Sequence, residues 1–165
     1  MRGGRLFMRT LIEAFDRQFL KLHVRSSAFI GSVPDSDLYR KPVPATDVIM
    51  KLTVGENILR SAAFVEMAFG GITTRLWDDP FEWTLPEALS TTGKIAGYLK
   101  EVEVTRLHGF AFFTSDDDLS RAIPAPRDVT PIGEILLETL LKAEHYQGRA
   151  FALFQTLTGG KPTRR

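Results

Sequence analysis

The sequence predicts an all-α fold, a four-helix bundle with a long crossover between its second and third helices. Apolar residues recur at steps of three and four in four segments. Proline, glycine and aspartate are concentrated between those segments, and the two halves of the chain share a short repeated pattern. The chain has 165 residues, 44% of them apolar, which suits one domain with a single core. We expect that domain to span residues 1–165, with tails at 1–9 and 158–165.

The first predicted helix extends from about residue 10 to residue 29. Its expected buried stripe consists of Leu11, Phe15, Phe19, Leu22 and Ser26. Gly31 and Pro34 predict its end, because glycine and proline both interrupt a helix.

The second predicted helix begins at Thr53. Thr53 and Glu56 have the spacing of a capping box, in which each side chain accepts a hydrogen bond from the other residue's backbone N–H. The expected buried stripe consists of Val54, Ile58, Ala62, Val65 and Phe69. Gly70 and Gly71 predict the end of this helix.

The third predicted helix follows the longest connection in the chain, residues 70–86. That connection carries three large aromatic side chains: Trp77, Phe81 and Trp83. We therefore expect it to pack onto the helices as a crossover. The helix itself is expected from Pro86 to about His108, before Gly109. Its stripe consists of Leu89, Ile95, Leu99, Val102 and Leu107.

The fourth predicted helix has Thr130 as its cap and Pro131 at its first position, where the missing N–H of proline is tolerated. It extends to Gly159. Its stripe consists of Ile132, Leu136, Leu140, Ala143, Gln147, Ala150 and Phe154. Three further leucines lie off that stripe: Leu137, Leu141 and Leu153. We therefore expect this helix to be apolar on most sides and central in the bundle.

The internal repeat divides the chain into two halves, each with a long helix, a proline-containing loop and a second helix. The matching pieces are residues 37–40 with 118–121, 43–45 with 123–125, 47–48 with 128–129, and 53–56 with 131–134. This pattern predicts pseudo-twofold symmetry between the halves. Chance similarity of turn residues is the alternative interpretation.

Residue counts exclude several classes of site. The chain has no cysteine, which excludes disulfides, zinc fingers, iron–sulfur clusters and thiolate catalysis. It has three histidines, His23, His108 and His145, and no two of them have the spacing of a metal pair on one helix. No phosphate-binding loop or serine nucleophile motif is present.

Charge and hydropathy indicate the cellular setting. The 21 basic and 20 acidic residues give a net charge of +1, so we expect no nucleic-acid partner. No stretch reaches the 18 or so apolar residues of a membrane span, and residues 1–9 lack the features of a signal peptide. We expect a cytoplasmic protein with no membrane partner.

Several local sequences form one constellation: Gly55-Glu56, the prolines before the second and fourth helices, residues 144–149 (EHYQGR) and residues 154–157 (FQTL). The constellation resembles the DinB-like family of four-helix bundles, damage-inducible proteins related to bacterial thiol-dependent transferases. Family members commonly carry a His-rich turn followed by Arg-Gly-Gln, and this chain has Gly148 in the matching place after His145. The resemblance spans about residues 10–162.

The resemblance implies a divalent metal, zinc or nickel, held by one histidine of the second helix and two histidines one turn apart on the fourth. The matching positions hold Arg60, Lys142 and Tyr146, and His145 lies beside the last. Arginine stays protonated, and lysine and tyrosine are poor ligands near neutral pH. We therefore expect that the three-histidine site is lost and that no metal is bound. The alternative is an atypical metal site around His145 with nearby carboxylates, from Glu56, Glu138 or Glu144.

The replacing residues suggest a hypothesis of their own. Glu56 precedes Arg60 by four residues and Glu138 precedes Lys142 by four, which is the favourable order for a helical ion pair. We hypothesise a buried ion-pair network of Arg60, Glu138, Lys142 and Tyr146 in the pocket where relatives keep the metal. The alternative is that Arg60 and Lys142 are both surface residues.

Three functions remain open at the level of the sequence. The first is a DinB-like, non-catalytic binding protein associated with damage or stress, a homodimer with an unidentified small molecule as its ligand. The second is a metal-dependent, thiol-dependent transferase or hydrolase that uses the site around His145. The third is a structural dimeric protein with an apolar interface. We favour the first, because function depends on the site and the family's site is missing.

Overall fold

A computed structural model describes residues 8–41, 52–80 and 86–159, and most of them are helical. The α-helices of this part of the chain are α1 (Thr10–Ile30), α2 (Asp35–Leu38), α3 (Val54–Thr74), α4 (Thr92–Ala111) and α5 (Ile132–Thr158). Two 3-10 helices, Pro86–Leu89 and Asp116–Ser120, and two strands, β1 (Ala122–Pro124) and β2 (Val129–Pro131), complete them. The strands form an antiparallel hairpin. None of the helices is long and apolar enough to cross a membrane. The all-α prediction is confirmed.

The four long helices pack so that each has two neighbours: α3 contacts α4 and α5, and α1 contacts the same two helices. Two contacts show that α1 and α5 run parallel. Arg25 pairs with Glu144, and Phe29, one turn further along α1, packs on Phe154, which lies further along α5. α1 and α4 run in opposite directions. The chain therefore runs up in α1, down in α3 and α4, and up again in α5.

α3 and α4 are parallel neighbours, and this explains the long connection between them. Tyr98 donates a hydrogen bond to Glu66, and further along both helices Phe69 packs on Phe110. Parallel helices cannot be joined by a tight turn, so the connection has to return along the molecule. Trp77, in the described part of that connection, packs against α3, as predicted. Phe81 and Trp83 lie outside the described residues.

The core is centred on α3, of which 13 of 21 residues are buried. All five residues of its predicted stripe are among them, and Phe69 contacts the rings of Phe19 and Phe110. The capping box of Thr53 and Glu56 is present. The prediction that α5 is the central helix is wrong, because Leu137 and Leu141 are 50% and 63% exposed. α3 is more enclosed because α4, α5 and the crossover all cover it.

Two predicted helix boundaries are wrong. α5 begins at Ile132, because Thr130 and Pro131 belong to strand β2 and Thr130 lies opposite Ile123 of β1. α3 continues through Gly71 to Thr74, because the glycine serves a different purpose. A Cβ at Gly71 would overlap the Trp77 ring, so glycine here allows the crossover to pack directly on the helix.

α4 also differs from its prediction. Pro86–Leu89 is a separate 3-10 helix, and α4 starts after Thr91, whose hydroxyl accepts a hydrogen bond from the Lys94 N–H at 3.2 Å. The stripe continues from Val102 to Arg106, not to Leu107, which is 50% exposed. The observed spacing of three and four keeps to one side of the helix, whereas a step from 102 to 107 does not.

Two aspartates cap helices of the opposite half. The carboxylate of Asp116 accepts hydrogen bonds from the N–H groups of Leu11 and Ile12 at the start of α1. The carboxylate of Asp35 accepts one from the Thr92 N–H at the start of α4, at 2.7 Å. This bond lowers the pKa of Asp35 from its ordinary value. Each carboxylate satisfies donors that a helix leaves unpaired at its first turn.

The residues flanking these caps are also alike in the two halves. Asp37 pairs with Arg40 at 3.5 Å, and Asp118 pairs with Arg121 at 3.7 Å, each three residues apart. Leu38 follows Asp37 in the sequence and Leu119 follows Asp118, and both leucines are buried. The repeated residues 43–45 and 47–48 lie outside the described residues.

Three residues predicted to lie in the tails belong to the fold: Met8, Arg9 and Thr158. Arg9 donates a hydrogen bond to the carbonyl oxygen of Phe113 at 2.6 Å, and the Met8 carbonyl oxygen accepts one from Asp116 at 2.8 Å. Thr158 is the last residue of α5, and Gly159 follows it in the left-handed conformation. The rest of the predicted tails, residues 1–7 and 160–165, lies outside the described residues.

Candidate functional site

A groove of about 580 Å³ lies between α3, α5 and the β-hairpin. Its floor is formed by Ala68 of α3 and by Ile135 and Thr139 of α5, all of them buried. One wall consists of side chains with large polarisable surfaces: Phe64, Met67 and Trp77. The hairpin, residues 125–131, closes one end. This volume is in the range of small-molecule sites, which are concave and mostly apolar with a few polar groups.

Charged side chains line the rim of the groove. Three are acidic, Asp128, Glu134 and Glu138, and two are basic, Arg127 and Lys142. Lys142 and Glu138 form an ion pair at 3.2 Å, so these two groups largely neutralise each other.

The neutral donors of the groove are already used within the protein. The hydroxyl of Thr139 donates to the Ile135 carbonyl oxygen at 2.7 Å, and the indole N–H of Trp77 donates to the Pro124 carbonyl oxygen at 3.1 Å. The bond from Trp77 also ties the crossover to the hairpin, and so fixes two walls of the groove to each other. Thr130 donates to the backbone of Asp128 at 3.3 Å.

The residues predicted for the family's metal position are placed in three different settings. Glu138 and Lys142 line the groove. Tyr146 lies next to it, with its ring 5.6 Å from that of Phe64. Arg60 pairs with Asp79 of the crossover at 3.7 Å, and Glu56 bonds to Thr53 in the capping box. Neither Arg60 nor Glu56 lines the groove.

The buried ion-pair network is not what the structure shows. Arg60 and Lys142 have side chains 45% and 50% exposed, and Glu138 is 57% exposed. The Glu138–Lys142 pair itself forms as the spacing predicts, but at the surface of the groove. Long charged side chains lay their apolar stems on the protein and keep their charge in water, which avoids the cost of desolvation.

The side chains at this position do not fit a zinc or nickel ion. Arg60, Lys142 and Tyr146 offer none of the ligands that these metals prefer. His145 is exposed, with its ring edge-to-face on Tyr146 at 5.5 Å. Across residues 8–41, 52–80 and 86–159, no group of three or more His, Asp or Glu side chains is arranged to hold a metal ion.

A charged cluster around the buried Arg106 joins α1 to α4, and the sequence prediction missed it. Arg106, 2% exposed, donates hydrogen bonds to Glu103 at 2.6 and 2.8 Å and to Asp16. Burial lowers the pKa of Arg106, but the bonds to Glu103 and Asp16 outweigh it, so that this pKa is raised overall. His23 lies 3.9 Å from Glu103. The spacing of Glu103 and Arg106, three residues apart on a continuous stripe, is the signal that would have revealed this pair.

The space beside this cluster is small. A cavity of about 20 Å³ lies between α1, α3 and α4, next to Ser26, Ser61 and Arg106. It has room for about one water molecule. The buried amide of Gln147 donates to Ser26 and to the Leu22 carbonyl oxygen, at 2.7 and 2.8 Å. These hydrogen bonds join α5 to α1. The cavity is much smaller than the groove, so the groove is the candidate site.

Comparison with models of known protein families, with curated proteins and with solved structures finds no match for this chain. The function of the groove therefore has to be inferred from the side chains that line it. The sequence prediction found Glu138 and Lys142 but missed Phe64, Trp77 and Glu134. The ridge of Glu134, Glu138 and Lys142, each one turn from the next, is the signal in the sequence that would have revealed one charged face.

Proposed function

We propose that this chain is a DinB-like four-helix bundle that has lost the family's metal site and binds a small organic molecule without catalysis. The observation that carries the proposal is the groove of about 580 Å³ between α3, α5 and the hairpin. Lys142 stands where the resemblance implies a metal-binding histidine, and it lines this groove beside Glu138. One of the three expected ligand positions therefore lines the proposed ligand site.

The proposed bundle with pseudo-twofold symmetry is supported by the reciprocal caps. Asp35 and Asp116 are equivalent under the repeat, since each lies two residues before the aspartate of its repeated segment. Each caps the first long helix of the other half. The up-down-down-up course of the helices supports the same proposal, because each half is then an antiparallel pair.

The groove favours binding over catalysis. An amine or hydroxyl nucleophile has to be free of other partners and within reach of the reacting group of the substrate. The amine of Lys142 is held by Glu138, and the hydroxyl groups of Thr139 and Thr130 donate to backbone oxygens. What the groove offers is shape, apolar surface and charge.

For the cellular location, the oligomeric state and the physiological role, we follow what the resemblance to the DinB-like family implies. We propose a cytoplasmic homodimer associated with damage or stress. Exposed leucine and valine side chains on α1 and α5, which are neighbouring helices, support an interface: Leu20, Val24, Leu137 and Leu141. The same observation supports a structural dimer as the second candidate function. A monomer in sedimentation at micromolar concentration contradicts both forms of the dimer.

The test of the binding function uses a neutral fluorescent probe, N-phenyl-1-naphthylamine, whose emission rises in apolar surroundings. We expect the full chain to bind it and Glu134→Phe, which fills the groove from its rim, to weaken binding by at least about tenfold. Leu137→Phe is the matched control on an exposed position of α5 outside the groove. Equal binding by both variants contradicts the proposal.

Elemental analysis of the purified, untagged protein tests the loss of the metal site. The proposal predicts far less than one equivalent of zinc or nickel. Close to one equivalent, removed by His145→Ala, would instead establish the alternative of a metal-dependent transferase or hydrolase.

A further inference from the structure

We infer that the ligand of the groove is an amphipathic organic cation, a protonated or quaternary amine joined to an aromatic or aliphatic body. This inference rests on the proposed binding function and adds the chemical class of the ligand. Its basis is the net negative charge of the rim, an aromatic wall, and the lack of free neutral side-chain donors for an anion.

Glu134 is a rim carboxylate that no side chain of the described residues pairs. Glu138 is paired with Lys142, and Arg127 and Asp128 of the hairpin loop offset each other in number, so the rim keeps one negative charge. Within the described residues, the side chain of Glu134 makes no ion pair or hydrogen bond. It also lies one helical turn from Glu138, and like charges at this spacing repel each other. A cation bound beside Glu134 would relieve that repulsion.

Lys142 shows how the groove accommodates an ammonium group. Its Nζ lies 6.0 Å from the centre of the Phe64 ring and 3.2 Å from a carboxylate oxygen of Glu138. A cation over an aromatic face and beside a carboxylate has the two interactions that stabilise amines in binding sites. A second carboxylate, Glu134, lies one turn before Glu138 on α5, and the Trp77 indole also lines the groove.

The floor of the groove favours an apolar group as the remaining part of the ligand. Ala68 and Ile135 present apolar surface, and the hydroxyl of Thr139 is already bonded to a backbone oxygen. An anionic group at the floor would lose its hydration without gaining a free donor, which is costly. An apolar body fits the floor, with the cationic group at the rim where water and carboxylates are available.

The test is calorimetric titration of the full chain at pH 7 with three compounds that share one apolar body: 4-phenylbutylamine, 4-phenylbutanol and 4-phenylbutyrate. We expect the amine to bind about three to ten times more tightly than the alcohol, and the carboxylate to bind most weakly. Glu134→Gln should reduce the affinity for the amine about threefold and leave that for the alcohol unchanged. Glu101→Gln, on the exposed surface of α4, is the matched control.

Two outcomes overturn the inference, and they are distinguishable from failure of the binding function. If the alcohol or the carboxylate binds as tightly as the amine, or if Glu134→Gln changes nothing, the cationic class is wrong while the groove remains a binding site for the neutral dye. If the dye itself fails to bind, the proposed function and the inference both fall.

Discussion

Arg106 is a buried charged residue that links α1 to α4. Its side chain is buried and satisfied by Glu103 and Asp16, so removal of the guanidinium leaves Glu103, only 16% exposed, without its partner. We predict that Arg106→Met lowers the free energy of unfolding by about 3 kcal/mol, measured by urea denaturation. Arg17→Met, at an exposed position of α1, should change it by less than about 0.5 kcal/mol. Similar losses in both variants would show that Arg106 has no special role.

Asp118 makes stability depend on pH in the acid range. Hydrogen bonds from the backbone of Thr114, and then of Ser115, lower its pKa below the ordinary value of 3.8, although burial opposes this. A carboxylate with a lowered folded pKa stabilises the protein above its unfolded pKa, and this contribution is lost as the pH falls through the folded value.

We therefore predict that Asp118→Asn destabilises the protein at pH 7 and flattens the fall in stability below about pH 4. The measurement is urea denaturation of both proteins at a series of pH values. Asp117→Asn, the exposed neighbouring position, should keep the pH dependence of the original chain. An unchanged acid profile in Asp118→Asn would contradict the assigned role.

At the scale of single residues, the sequence supports only those predictions that depend on one helix. The Glu138–Lys142 pair and the capping box of Thr53 form as expected, because their spacing within a helix decides them. Arg60 was paired with the wrong group, because its partner Asp79 comes from the crossover. Nothing in the spacing of the sequence places the crossover beside α3.

At the scale of elements, two of the three glycines of α4 have opposite structural roles. A Cβ at Gly109 would overlap the Phe69 ring in the core, whereas Gly97 has no other atom within 4 Å of a Cβ. We predict that Gly109→Ala lowers the free energy of unfolding by about 1–3 kcal/mol, because the core has to move. Gly97→Ala should raise it by up to about 1 kcal/mol, since alanine favours the helix.

Thermal or urea unfolding of the two alanine variants provides the comparison. Both replacements have the same chemistry and lie on the same helix, so helix propensity alone would stabilise both. Opposite signs support the close packing of Phe69 on α4. A gain in stability for Gly109→Ala would contradict it.

The helices were predictable as elements, and their ends were predictable where the local sequence sets them, as at the start of α3 and the end of α5. The stripe of α3 is buried as predicted, because the spacing of apolar residues along a helix determines which face is buried. The start of α5 was wrong by one residue because Pro131 pairs in the hairpin, and the end of α3 was wrong because Gly71 meets Trp77. Both boundaries are set by contacts with distant parts of the chain.

At the scale of the whole molecule, the topology explains where the groove lies. α3 ends and α5 begins at the same end of the molecule, so the hairpin before α5 and the crossover after α3 meet there. Their meeting, through the bond from Trp77 to Pro124, encloses the space above Ala68 and Ile135. The sequence could indicate one charged wall on α5. The opposite side is formed by α3, the crossover and the hairpin, and their arrangement depends on contacts between distant parts of the chain.

We propose that the groove between α3, α5 and the hairpin is the binding site of this protein. A two-dimensional NMR titration of the isotope-labelled full chain with 4-phenylbutylamine locates the site residue by residue. We expect the largest shifts on amides around Phe64, Trp77 and Glu134, with small shifts around Leu20 and Val104 on the outer surfaces of α1 and α4. Shifts that centre on those outer surfaces, or no shifts at millimolar amine, would contradict it.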